Sequence, residues 1–168
     1  MAKPKPAISA RAAADRYVDR IARHVAELWP DLAKRLVAAY PSHLNEPIGL
    51  AEATLAAAGV GMQEARTGVA ADIADRLRTA AAAALTSRFE HGDAAAIGAS
   101  YDELWTRTGD PRAIGLGFVM RVIGDDPGDA GGGRPIIHFT VEKILGGAIV
   151  EAASGAWSEI LSENAIEP

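Results

Sequence analysis

Residues 140–163 read Thr140-Val-Glu-Lys-Ile-Leu-Gly-Gly-Ala-Ile-Val-Glu-Ala-Ala-Ser-Gly-Ala-Trp-Ser-Glu-Ile-Leu-Ser-Glu163, and the spacing of their apolar side chains decides the fold class. Val141, Ile144, Leu145, Ala148, Ile149, Ala152, Ala156, Trp157, Ile160 and Leu161 recur at helical intervals. That pattern places them on one stripe of an α-helix, which must find a partner surface. Thr140 is placed to cap its start. Glu142, Lys143, Glu151, Ser154, Ser158, Glu159 and Ser162 fall on the opposite face, as expected of a helix wetted on one side. Gly146, Gly147 and Gly155 each cost about 1 kcal/mol relative to Ala in a helix interior. Their presence predicts that another backbone comes close, with Gly147 and Gly155 as the expected crossing points. Val141, Leu145, Gly147, Ala148, Ala152, Gly155 and Trp157 are therefore the candidate interface residues. A stripe of roughly six turns needs a partner of similar length. The uninterrupted run from Met62 to Phe89 is the expected one.

Working outward, the remaining chain carries the same period. Val18, Ile21, Val25, Leu28, Leu32, Leu36 and Tyr40 keep a helical phase after a capping Ser9 and straight through Pro30. Proline removes a helical N–H and crowds the preceding turn, so a kink or a fresh helix start is expected there. Pro41 to Pro47 reads as a loop. A short helix, Ile48 to Ala58, is expected to stop at Gly59-Val60-Gly61, with Met62–Phe89 following and ending at His91-Gly92. Asp93 then opens a helix to about Arg107. Asp110-Pro111 is a helix-start signal, yet Ile114-Gly-Leu-Gly-Phe-Val-Met-Arg-Val-Ile123 has spaced glycines and β-branched residues. Helix is the reading adopted, the alternative being a strand of a short hairpin around residues 114–141. The fold class expected is mainly α, a multi-helix bundle over residues 9–168 as one domain, preceded by a disordered arm at residues 1–8.

The composition narrows the function classes. The chain has 168 residues, is 49% hydrophobic but 5% aromatic, and carries a formal charge of −5. An acidic surface offers no phosphate-neutralising footprint, so nucleic acid is not expected as a partner. There is no cysteine, which removes disulfides and thiolate chemistry. No signal-peptide pattern or bilayer-spanning run is present, so no membrane association and a cytoplasmic location are expected. Arginine supplies 13 of the 17 basic residues, a bias of the kind a GC-rich bacterial genome produces.

Patterns that could carry chemistry fall short on spacing. Asp125, Asp126 and Asp129 in the Gly-rich loop lack the bidentate glutamate of an EF-hand. Gly131 to Gly133 lack the Gly-Lys-Ser/Thr ending of a phosphate loop. His24 and Glu27 form one His-x-x-Glu pair, whereas a di-iron bundle needs two Glu-x-x-His copies. His43, His91 and His138 are scattered, and Ser42-His43 lacks the setting of a nucleophile. Asp102-Glu103 reads as a solvated helix surface, and Trp29, Trp105 and Trp157 sit on helical stripes, where core packing is the usual role. Leu55 to Thr67 has the order of a helix-turn-helix, but the charge balance favours a plain αα-corner. No catalytic residue, cofactor or metal is therefore assigned. The expectation is a non-enzymatic interaction or assembly protein that self-associates; the alternative is a small-ligand-binding regulator with a helix-turn-helix-like corner near Gly59.

Overall fold

Capping chemistry and the apolar period set the helices of the computed structural model, which describes residues 4–41, 44–90, 93–124 and 136–168. Helix α1 (Ala10–Ala39) starts where the Ser9 hydroxyl accepts from the Ala12 amide at 3.1 Å. It runs through Pro30 as one helix. The carbonyl that Pro30 leaves without a donor belongs to the exposed Ala26, so water can satisfy it, while buried Trp29, Leu32 and Ala33 hold the helix to the core.

Helix α2 (Glu46–Gly68) begins at Asn45, whose side chain accepts from the Ile48 amide at 3.2 Å. It does not stop at Gly59-Val60-Gly61. The break comes instead at Gly68–Ala70, where Val69 turns extended, and α3 (Ala71–Phe89) follows. The expected Met62–Phe89 helix is thus the end of one helix and the whole of the next, and the corner near Gly59 is helix interior. Gly59 and Gly61 are contact glycines rather than turn glycines. A Cβ on Gly59 would lie 2.9 Å from the Asp102 amide nitrogen, and one on Gly61 would run into the Tyr17 hydroxyl. Close packing outweighs the propensity that signalled a stop.

Helix α4 (Ala94–Thr108) ends at Gly109 in the left-handed conformation, φ 56°. Helix α5 (Pro111–Val122) uses the predicted start signal, with the Asp110 carboxylate accepting from the Arg112 amide at 2.9 Å. The strand alternative and its hairpin are not what forms among the described residues. Residues 111–122 and α6 (Ile136–Ala153) are helices packed antiparallel, and the middle of the Gly-rich loop, with Asp125, Asp126 and Asp129, lies outside the described residues.

The expected Thr140–Glu163 helix is two helices. α6 begins a turn earlier, so Thr140 is not its cap; its hydroxyl donates to the Ile136 carbonyl at 3.2 Å. The chain breaks at Ser154-Gly155, with Gly155 at φ 79°, and α7 (Ala156–Glu163) starts afresh. α6 packs on α5, α1 and α2 rather than on α3. Residues expected in the disordered arm are also tied down: β1 (Ala7–Ile8) pairs in parallel with β2 (Ala165–Ile166). The Ala165 amide donates to the Pro6 carbonyl and the Glu167 amide to that of Ile8, each at 2.9 Å. Buried residues from all seven of these helices join one hydrophobic core. No described helix is long and apolar enough to cross a membrane.

Candidate functional site

The exposed apolar side chains are not scattered. Among the described residues the large hydrophobic ones left exposed are Val37, Ile48, Met120, Ile136, Ile137 and Phe139, with Ile136 at 84% and Ile48 at 57%. Val37 belongs to the last turns of α1, Ile48 to the first turn of α2, Met120 to the last turn of α5, and the other three to the first turn of α6. Tertiary contacts gather these four helix ends at one end of the bundle. His138 Nε2 lies 3.1 Å from the Ala39 carbonyl oxygen, with its ring 4.4 Å from that of Tyr40. Arg121 Nε donates to Glu52 at 2.5 Å, which brings the end of α5 to the start of α2. Trp29 and Phe118 approach to 6.3 Å beneath the surface. Exposed Asp31, Lys34, Glu46, Arg121 and Lys143 flank these positions in sequence, so both signs of charge border the apolar end.

Buried and half-buried polar residues elsewhere serve the fold. Glu52 is 7% exposed and accepts from the Tyr101 hydroxyl at 2.7 Å as well as from Arg121. Burial, then the Glu52 charge, pushes the Tyr101 phenol up from its ordinary range. Glu142, assigned to the solvent face from its period, is fully buried, with Arg112 Nε 3.8 Å away. Glu64 reaches from α2 to the start of α7, accepting from the Gly155 amide at 2.5 Å and from the Trp157 and Ser158 amides at 3.2 Å. These glutamates were missed by the period. Glu52 did carry a signal, being the one charged residue between Pro47 and Met62.

The residues singled out from sequence fall as follows. Val141, Leu145, Ala152 and Trp157 are buried within the chain's own core, Trp157 stacked on Tyr17 at 4.2 Å. Ala148 is half-buried and packs against that core. Gly147 is a correction: a Cβ there meets nothing within 4 Å, so no backbone approaches it. The close approach is made by its neighbour Gly146, and Gly155 is the helix break. His24 Nδ1 lies 3.2 Å from the Ala152 carbonyl oxygen, while Glu27 is exposed. Asp102 pairs with Arg66 rather than with Glu103. Trp29 is buried and Trp105 half-buried, whereas Ser42, His43 and His91 lie outside the described residues. Among the described residues no group of three His, Asp or Glu side chains is disposed to hold a metal ion.

Comparison with family models, curated proteins and solved structures finds no match to this chain.

Proposed function

We propose that this chain is a non-enzymatic assembly protein whose contact surface is the apolar end formed by α1, α2, α5 and α6, and that its partner there is a second copy of itself. The supporting observation is the segregation of every large exposed hydrophobic side chain among the described residues to that end. Each contiguous apolar patch left in water forgoes about 25 cal/mol for every Å² it could bury. A border carrying both Lys and Glu is self-complementary, so a two-fold axis can set Lys34 or Arg121 of one copy against Glu46 or Asp31 of the other.

Sedimentation velocity across a dilution series tests the proposal. The expected result is a concentration-dependent dimer, with Ile48→Glu and Ile137→Lys shifting it to monomer while leaving the circular dichroism spectrum unchanged. A wild-type protein that sediments as one monomeric species at every concentration overturns it.

A further inference from the structure

We infer that self-association is keyed: Ile136 of one copy seats in the groove between α1 and the start of α2 of the other, next to Glu46. The inference rests on the self-association proposed above and specifies which residues meet.

The groove follows from small residues set beside a buried indole. Trp29 is 7% exposed, and its ring lies against Gly49 of α2, where a Cβ would stand 2.6 Å from Trp29 Cη2. Pro30 and Ala33 are too short to fill the space beside it. A half-open trough of about 540 Å³ remains, lined by Trp29, Pro30, Ala33, Lys34, Val37 and Glu46. Its lining is apolar except for Lys34 and Glu46, which come from different helices.

Ile136 is the matching knob. It is the first residue of α6 and, at 84%, the most exposed of the large hydrophobic side chains among the described residues. It therefore does not fill the groove of its own chain. β-branching leaves it few rotamers to lose on being seated. Knob and groove share one end of the bundle. Val37 lines the groove and belongs to the apolar end, and the contact of His138 with the Ala39 carbonyl ties the first turn of α6 to the last turn of α1. A two-fold axis that seats one Ile136 therefore seats the other.

Electrostatics select the same pairing. Lys34 has Asp31 of its own helix at 4.0 Å, whereas Glu46 makes no ion pair among the described residues. One carboxylate is thus left at the edge of the groove. α6 has no acidic residue in its first turn, so no carboxylate of that turn answers the partial positive charge of its N-terminal end. Arg112 does not enter the balance, because the Glu142 carboxylate lies 3.8 Å from it. Seating Ile136 brings the positive helix end to Glu46. A foreign partner would have to supply both an aliphatic knob and a positive end, and this chain carries both at the end that holds the groove.

Cross-linking tests the pairing, and the absence of native cysteine makes an introduced thiol pair unambiguous. Val37→Cys mixed with Ile136→Cys is expected to give a disulfide-linked heterodimer on mild oxidation, identified by intact mass. Ser87→Cys, on α3, mixed with Ile136→Cys is the control for random collision and should not link. Ile136→Ala should weaken dimerisation about 100-fold in sedimentation, since two seats per dimer lose their aliphatic tips. Glu46→Lys should weaken it as well, with an unchanged circular dichroism spectrum. A wild-type dimer whose Val37→Cys and Ile136→Cys variants link no better than the control overturns the pairing and leaves self-association standing. So does a dimer that Ile136→Ala leaves as tight as before. A wild-type protein that is monomeric at every concentration overturns both.

Discussion

Gly146 of α6 lies so close to Pro111 of α5 that a Cβ on the glycine would overlap the proline carbonyl oxygen, and it would stand 2.9 Å from the Gly115 amide nitrogen. The relationship is reciprocal one turn away, where a Cβ on Gly115 would overlap the Glu142 carbonyl and lie 3.0 Å from the Glu142 Cα. Backbone atoms cannot swing aside as a side chain can. Gly146→Ala and Gly115→Ala should therefore each cost about 3 kcal/mol through overpacking. Gly147→Ala, one residue from the first, meets open space and should gain about 0.5–1 kcal/mol of helix propensity. Urea melts of the three variants check the contrast. Equal behaviour of Gly146→Ala and Gly147→Ala would mean that the crossing is not where the structure puts it.

A second expectation concerns the start of α7. Gly155 has no side chain with which to cap that helix, and the Glu64 carboxylate takes over the task from another helix. Glu64→Ala should cost about 1–2 kcal/mol, the usual worth of a cap. Glu64→Gln keeps one acceptor oxygen and should fall between. Because Trp157 opens α7 and stacks on Tyr17, its fluorescence reports the same loss locally. Unchanged melts for Glu64→Ala would show the cap to be dispensable.

The Glu52 contacts predict non-additivity. Removing the Tyr101 hydroxyl or the Glu52 charge alone breaks a shared buried arrangement, so Tyr101→Phe and Glu52→Gln should each cost about 1–3 kcal/mol. In the double variant the two losses overlap, and the cycle should return a coupling energy of about 1 kcal/mol. Strict additivity would deny the coupling.

Alkaline pH offers a further check. Tyr17 is held well above its ordinary pKa by burial, then by the charges of Glu64 and Asp102, and its hydroxyl donates to the Ala58 carbonyl at 2.7 Å. The folded chain keeps this proton where the unfolded chain has lost it. Stability is thus fully present below the unfolded value of about 10 and should fall as pH rises beyond it. Tyr101, also raised, adds to the same slope. Urea melts between neutral and alkaline pH should show the decline, and Tyr17→Phe should flatten it. An equal slope in Tyr17→Phe would remove Tyr17 from the account.

Amino-acid order by itself determined that the chain is helical and where several helices begin. Ser9 and Asp110 cap as their side chains dictate, and the apolar period from Val18 to Leu36 marks the buried stripe of α1, because these effects act within one or two turns. Even the presence of a glycine-mediated crossing was legible in the Gly146-Gly147 pair. Which of the two makes it was not, since rotating a helix by one residue changes what faces the partner without changing composition. The same limit hid the continuity of α2 through Gly59 and Gly61, the break at Gly155 and the burial of Glu142. Gly59 and Gly61 read as breakers until Gly98 and Tyr17 are brought against them. The break at Gly155 draws on the Glu64 carboxylate, 91 residues away in the chain. The apolar end is likewise tertiary, since it combines helix ends from four separate segments. Local periodicity specifies which residues share a face; only the packing of helices distant in sequence decides whether that face meets another backbone, a carboxylate or water.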